Sequence, residues 1–153
     1  MLEQAMISGV THTVEENLYR VEGTTPAKLF SALAEAQVNV DTILVNGDGA
    51  IVYSAPLEDH QASEATLDAL GVKWSSRDDL GKVSVIGAGM KSHPGVAAKT
   101  FEVLGELGIE PEVVSTSPIK IACHIAMADV ERAVQALHSA FELDTEVAER
   151  GHD

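Results

Sequence analysis

Apolar and polar positions along the chain switch between two periods. From Asn17 to Glu22, Leu18 and Arg20 alternate with Tyr19 and Val21, the period of a short strand whose successive side chains face opposite ways. Leu29, Phe30, Leu33 and Ala36 then recur at helical spacing; Pro26 suits the first turn of that helix and Thr24 or Thr25 can cap it. Asp41–Val45 and Ala50–Ser54 read as strands around Asn46-Gly47-Asp48-Gly49, where glycine can take positive φ at no steric cost and close a hairpin. A helix over about Gln61–Leu70, stopped by Gly71, and a strand over Val72–Ser76 complete the order βαββαβ.

The same plan then recurs. Ala27-Lys28-Leu29-Phe30 lies over Ala98-Lys99-Thr100-Phe101, 71 positions on, and this offset sets Leu33 over Leu104, Val38 over Ile109 and Ile43 over Val114. Lys82–Ile86 is the next strand, a glycine-containing loop follows, and Val96, Phe101, Leu104 and Leu107 mark a helix. Val113-Val114 and Ile119–Ile125 form strands around Ser117-Pro118, and a helix from about Asp129 carries Val130, Ala133, Val134, Leu137 and Phe141 on one side. Only Glu146-Val147-Ala148 remains downstream as a poor closing strand, so the N-terminal run Ala5–Val10 is the expected substitute. The first unit is then 17–78 and the second 1–16 plus 79–153. The class is α+β, with antiparallel sheets that carry their helices on one face. Units of about 70 residues bury too little to be comfortable alone, which predicts a homodimer or hetero-oligomer.

Composition narrows the partners. The 153 residues hold 10 basic and 24 acidic groups, for a net charge of −14, and no Lys/Arg cluster of the kind that gives affinity for nucleic acid. The start Met1-Leu2-Glu3-Gln4 has no basic, apolar leader, and no run approaches the roughly 20 apolar residues that span a bilayer, so neither export nor membrane insertion is expected. The lone cysteine, Cys123, sits in the apolar run Ile121–Ile125 and fits a buried strand position in a reducing, cytoplasmic compartment.

Few residues assemble into chemistry. Val85-Ile86-Gly87-Ala88-Gly89 opens like a dinucleotide fingerprint, but Ser92 stands at the third glycine and the flanking strands alternate as in an antiparallel sheet, so no nucleotide cofactor is expected. His12, His60, His93, His124, His138 and His152 share no ligand spacing, and no metal is expected. Ser115-Thr116-Ser117 has hydroxyls with no base near it in sequence, and nothing else supplies a nucleophile with its base. The chain is therefore not expected to be an enzyme on its own. The loops before the first helix of each unit, Glu22–Pro26 and Lys91–Gly95, are better placed to bind a small molecule, because helix N-termini present unpaired N–H groups to a carboxylate.

Three segments carry a family likeness: Gly81-Lys82-Val83-Ser84-Val85-Ile86-Gly87-Ala88-Gly89-Met90-Lys91-Ser92-His93-Pro94-Gly95-Val96, then Val114-Ser115-Thr116-Ser117-Pro118-Ile119-Lys120-Ile121, then Ala136-Leu137-His138-Ser139-Ala140-Phe141. Together they closely resemble the regulatory region of aspartate kinases, and in particular the small β subunit of bacterial aspartokinases with an α2β2 arrangement; the likeness runs from Ser8-Gly9-Val10 to Phe141. The resemblance implies two ferredoxin-like ACT modules, the N-terminal strand completing the second. It implies a homodimer in which the first module of one chain packs on the second of the other, with threonine, lysine or both bound at that junction. It also implies a separate catalytic α chain, whose ATP-dependent phosphorylation of aspartate the bound amino acid inhibits.

Carried over to this chain, the resemblance places effector contacts at Val21, Glu22, Gly23, Thr24, Thr25, Asp41, Val45, Glu110, Pro111, Glu112, Ser115 and Ser117, and a second effector loop at Ser92, His93, Pro94 and Gly95. The sequence departs from relatives at three of these places. The loop acid that receives the ligand ammonium falls on Val21, a glutamine at the end of the next strand becomes Val45, and an Asn-Ile pair becomes Glu110-Pro111. Because a buried ammonium without an anionic or carbonyl partner is costly, altered or lost sensitivity to lysine and threonine is expected, with Glu22, Asp41 or Glu110 as substitute partners. The alternative reading is a free-standing ACT pair that senses another amino acid or serves only to dimerise.

Overall fold

Two cross-strand tyrosines organise the first half of the chain. In the computed structural model, which describes residues 6–88 and 95–141, the elements run β1 (Met6–Thr13), β2 (Glu16–Glu22), α1 (Pro26–Glu35), β3 (Ile43–Val45), β4 (Ile51–Pro56), α2 (His60–Leu70), β5 (Lys73–Arg77), β6 (Leu80–Ala88), α3 (Gly95–Glu106), β7 (Val113–Ser117), β8 (Lys120–Ala126) and α4 (Val130–Ala140). They divide into two units, one of Glu15–Leu80 and one that joins the segment through Val14 to the chain from Gly81 onward.

In the Glu15–Leu80 unit the strand order is β3-β4-β2-β5, with every neighbouring pair antiparallel. Tyr19 stands opposite Tyr53 in the β2–β4 register, and their rings stack with centroids 4.7 Å apart at 13°. Phe30 of α1 meets the Tyr53 ring edge-on at 6.0 Å, so the aromatic pair ties helix to sheet as well as strand to strand. Around it Val21, Ile51 and Ala55 from the same sheet face pack with Leu29 and Leu33 of α1 and Leu67 of α2. The Tyr19 hydroxyl lies 2.7 Å from His60 Nδ1, at the start of α2. Both tyrosines are fully buried, and burial pushes both phenols up, that of Tyr53 to about 12; at Tyr19 the hydrogen bond from Asn17 partly offsets the shift.

The other unit repeats the arrangement with its strands in the order β1-β6-β8-β7. Here β6, β8 and β7 hold the places that β2, β4 and β3 hold in the first sheet, and β1 takes the edge that β5 fills there. It pairs antiparallel with β6, Val10 opposite Val85 and His12 opposite Val83, with an irregularity between Ile7 and Gly9. Val10, Val83, Val85, Ile121, Cys123 and Ile125 form the sheet side of a core that Val96 and Leu104 of α3 and Val130, Ala133 and Leu137 of α4 complete. Burial pushes the Cys123 thiol up to about 11, so it is an apolar core residue rather than a reactive one.

Several element boundaries depart from the hydrophobic pattern: β1 runs on to Thr13, and β6 spans Leu80–Ala88 rather than Lys82–Ile86. β3 begins at Ile43 rather than Asp41, because the Ser54 hydroxyl intrudes on the ladder: Thr42 N–H donates to Ser54 Oγ at 3.0 Å, while Asp41 N–H reaches the Ser54 carbonyl at 2.9 Å. β7 runs on to Ser117, which pairs with Lys120. The Glu146–Ala148 strand lies outside the described residues. No described helix is long and apolar enough to cross a membrane.

Two expectations follow. A Cβ at Gly81 would lie 2.6 Å from Val130 Cγ2 and 3.2 Å from the Thr13 carbonyl, whereas one at Gly105 in α3 meets nothing within 4 Å. Gly81→Ala should therefore destabilise by about 1–3 kcal/mol and Gly105→Ala should stabilise by about 0.5–1 kcal/mol, both read from urea denaturation midpoints. The buried phenols hold their protons longer when folded than when unfolded, so the stability they confer is complete below about pH 10 and declines as pH rises toward 12. In Tyr53→Phe that alkaline decline should be shallower, measured as melting temperature against pH.

Candidate functional site

Strand alternation decides which residues leave the core at the end of β2. Val21 points inward and is 0% exposed, so Glu22 projects to the other side and the chain turns away through Gly23, whose φ of +87° favours glycine. Only Gly23, Thr24 and Thr25 separate β2 from α1. Thr25 has extended backbone and caps the helix, its Oγ1 accepting the Lys28 N–H at 3.3 Å, and Pro26 occupies the first turn, where a missing N–H costs nothing.

The β3–β4 turn faces this loop. Asn46 N–H donates to the Ala50 carbonyl at 2.8 Å, Gly49 N–H to the Asn46 carbonyl at 3.0 Å with Gly49 at φ +91°, and Asp48 Oδ1 accepts the Ala50 N–H at 3.0 Å. Loop and turn enclose a cleft of about 490 Å³ lined by Glu22, Gly23, Thr24, Thr25, Lys28, Asp48, Gly49 and Ala50. That volume falls in the range of about 300–1,000 Å³ usual for small-molecule sites.

Arg20, two positions before Glu22 on the outward side of β2, ties the cleft's acids together. Its Nη2 lies 3.2 Å from Asp48 Oδ2 and its Nε 3.5 Å from Glu22 Oε2. The Ala50 N–H and then Arg20 hold the Asp48 carboxyl below the usual carboxylate range. These side chains are 43–62% exposed, so water screens the pairs and they serve to place charge more than to stabilise the fold. The cleft thus offers a helix N-terminus and an ammonium to an anion, two hydroxyls, and two carboxylates to a cation. Those are the groups that complement an α-amino acid.

The expected site residues fall into separate places. Glu22, Gly23, Thr24 and Thr25 line the cleft. Val21 does not, because its side chain is part of the core with Tyr19 and Ile51. Asp41, before β3, and Val45, at its end, are both exposed and outside the cleft lining. Glu110, Pro111 and Glu112 connect α3 to β7 in the other unit, where Glu112 N–H donates to the His124 carbonyl at 2.8 Å. Ser115 is half-buried in β7 opposite Ala122, and Ser117 Oγ accepts the Ile119 N–H at 3.3 Å. Ser92, His93 and Pro94 lie outside the described residues, and Gly95 is the first residue of α3. Lys28 and the Asp48–Ala50 turn were not among the expected contacts. Lys28 had a signal, its recurrence as Lys99 in the repeat. The turn had none beyond its hairpin chemistry, since only the fold brings it to the loop. Among the described residues no group of three or more His, Cys, Asp or Glu side chains is placed to hold a metal.

Comparison with known proteins bears on the fold and the family. Residues 83–141 match the ACT domain family. The crystal structure of the regulatory subunit of aspartate kinase from Thermus thermophilus, in its ligand-free form, superposes with a TM-score of 0.81 at 28% identity, covering 88% of this chain and 98% of that one. A chain in the crystal structure of aspartokinase alpha and beta subunits superposes with a TM-score of 0.80 at 32% identity, covering 89% of this chain and 99% of that one. The chain belongs to the aspartokinase regulatory family. Among curated relatives, the aspartokinase of Corynebacterium glutamicum is 37% identical over 95% of this chain, and that of Mycolicibacterium smegmatis 39% identical over 93%. The chain spans 38% of the length of either, so it corresponds to a part of those enzymes.

For this aspartokinase regulatory chain, the cap is the part of the cleft most directly open to test. Thr25→Ala removes the side-chain acceptor of α1 and should cost about 0.5–2 kcal/mol in urea denaturation.

Proposed function

We propose that the chain is the non-catalytic regulatory subunit of an aspartate kinase and that a small amino acid bound beside α1 of its first ACT module carries the regulatory signal. The observation that carries this reading is the cleft of Glu22–Thr25, Lys28 and Asp48–Ala50, whose charged and hydroxyl groups complement a zwitterion on the loop that links the first strand of the module to its first helix. Near-complete coverage of a chain in the alpha and beta subunit structure, and of an isolated regulatory subunit, supports a partner of matching kind: a separate cytoplasmic catalytic chain that phosphorylates aspartate with ATP. Self-association through the ACT modules, as a homodimer within an α2β2 assembly, belongs to the same reading. Effector binding would favour one arrangement of the partner kinase, giving feedback control of the aspartate-derived amino acids, threonine and lysine among them.

The buried Val21 favours one variation. With no acid at that position the response to threonine or lysine is altered, and a free-standing ACT pair that senses another amino acid is the second reading.

Co-expression with an aspartate kinase catalytic chain separates the two. The first reading requires a stable complex whose kinase activity changes on adding one of the amino acids, and failure to co-purify would select the second. A thermal-shift screen of the amino acids on the full chain should give at least one ligand that raises the melting temperature, because a ligand at about 100 times its Kd adds about 2.7 kcal/mol to the folded state. Lys28→Gln should weaken that shift, and a screen with no shift for any amino acid would remove the effector site.

A further inference from the structure

Resting on that reading of the cleft, we propose that Arg20 sets the charge class of the effector, so that the first module takes a small amino acid of zero or negative net charge and rejects a cationic one. The cleft lining contains two acids, Glu22 and Asp48. Both are already engaged by the same guanidinium, at 3.5 and 3.2 Å, and the second oxygen of Asp48 is held by the Ala50 N–H. On the other side of the balance, Lys28 lines the cleft at the first turn of α1, and among the described residues no acid pairs with its ammonium. Lys73 stands directly opposite Glu22 in the β2–β5 register, which adds a third positive charge at the strand end. Arg20 itself faces Val52 and Ser75 across the sheet, neither of them charged, so Glu22 and Asp48 are its ionic outlets.

These positions make the cleft selective by charge. A ligand carboxylate meets Lys28 and the N-terminus of α1. A single α-ammonium can share Glu22 and Asp48 with Arg20, because an ionised carboxylate accepts at about four lone-pair positions. A second ammonium, on a cationic side chain, finds no further acid in the lining and adds to the positive charges of Arg20, Lys28 and Lys73. Removing the Arg20 charge frees both acids at once.

The test is calorimetric titration of the full chain with L-threonine, L-aspartate and L-lysine, on wild type, Arg20→Gln, Arg20→Lys and Lys28→Gln, with circular dichroism to confirm folding. The proposal expects threonine or aspartate to bind wild type, and lysine to bind it at least about tenfold more weakly. Arg20→Gln should bind lysine about tenfold more tightly than wild type does, a gain that fades with added salt, and Arg20→Lys should restore the discrimination. Lysine binding to wild type as tightly as threonine or aspartate, or unchanged by Arg20→Gln, overturns the proposal while leaving a site that still depends on Lys28. Binding of all three that ignores Lys28→Gln, or no binding at all, removes the cleft reading itself and this proposal with it.

Discussion

The register of β2 against β4 is the constraint on which the first module depends. Tyr19 is fixed opposite Tyr53 by a ring stack that Phe30 buttresses from α1. Because side chains alternate, this pairing also determines that Val21 joins the core while Arg20 and Glu22 emerge on the other side. A slip of one residue would exchange the two sets, burying an arginine and a glutamate and exposing a tyrosine and a valine. The aromatic core and the charged cleft are thus two readings of one alternation, and the core contacts, being fully desolvated, are the stronger determinant.

That same alternation explains what was legible in the sequence. Helices with apolar stripes and a cap were readable: Thr25 caps α1, Gly71 closes α2 with φ +69°, and the 71-residue offset that aligns Leu33 with Leu104 aligns two buried core positions. The loop Glu22–Thr25 could be named as a candidate segment because its chemistry is local, and it lines the cleft. Val21 was expected at the effector contact from the family resemblance, and the strand alternation that turns its side chain into the core is what the resemblance did not carry. Asp48 was legible as a turn residue and not as a cleft residue, because its meeting with Arg20 spans 28 positions and requires the hairpin to fold back over the loop. The late start of β3 has a similar cause: Ser54, a buried polar residue of β4, supplies a hydroxyl that accepts the Thr42 N–H in place of a ladder carbonyl.

The two modules solve the same edge differently. In the first, β5 follows directly from α2 and returns to β2, so the sheet is closed by adjacent sequence. In the second, the equivalent edge is β1, which precedes the entire first module. The irregularity between Ile7 and Gly9 lies on this imported edge, where a break in the ladder makes the strand a poorer template for indiscriminate pairing.

Thr13 opposite Lys82 in that pairing gives the chain the topology of an insertion, in which Glu15–Leu80 is spliced into a host whose two pieces flank it. On a ribosome β1 emerges before the guest and has no partner until β6 is made, after the whole guest has been synthesised. Once the host sheet closes, it draws together the two ends of the guest, and a tethered pair of ends has less conformational freedom to gain on unfolding. The host strand pair therefore acts on the guest as a non-covalent clasp. The guest bears the cleft while the clasp is made entirely of host residues, so loosening of β1 from β6 frees the ends of the cleft-bearing segment through chain connectivity.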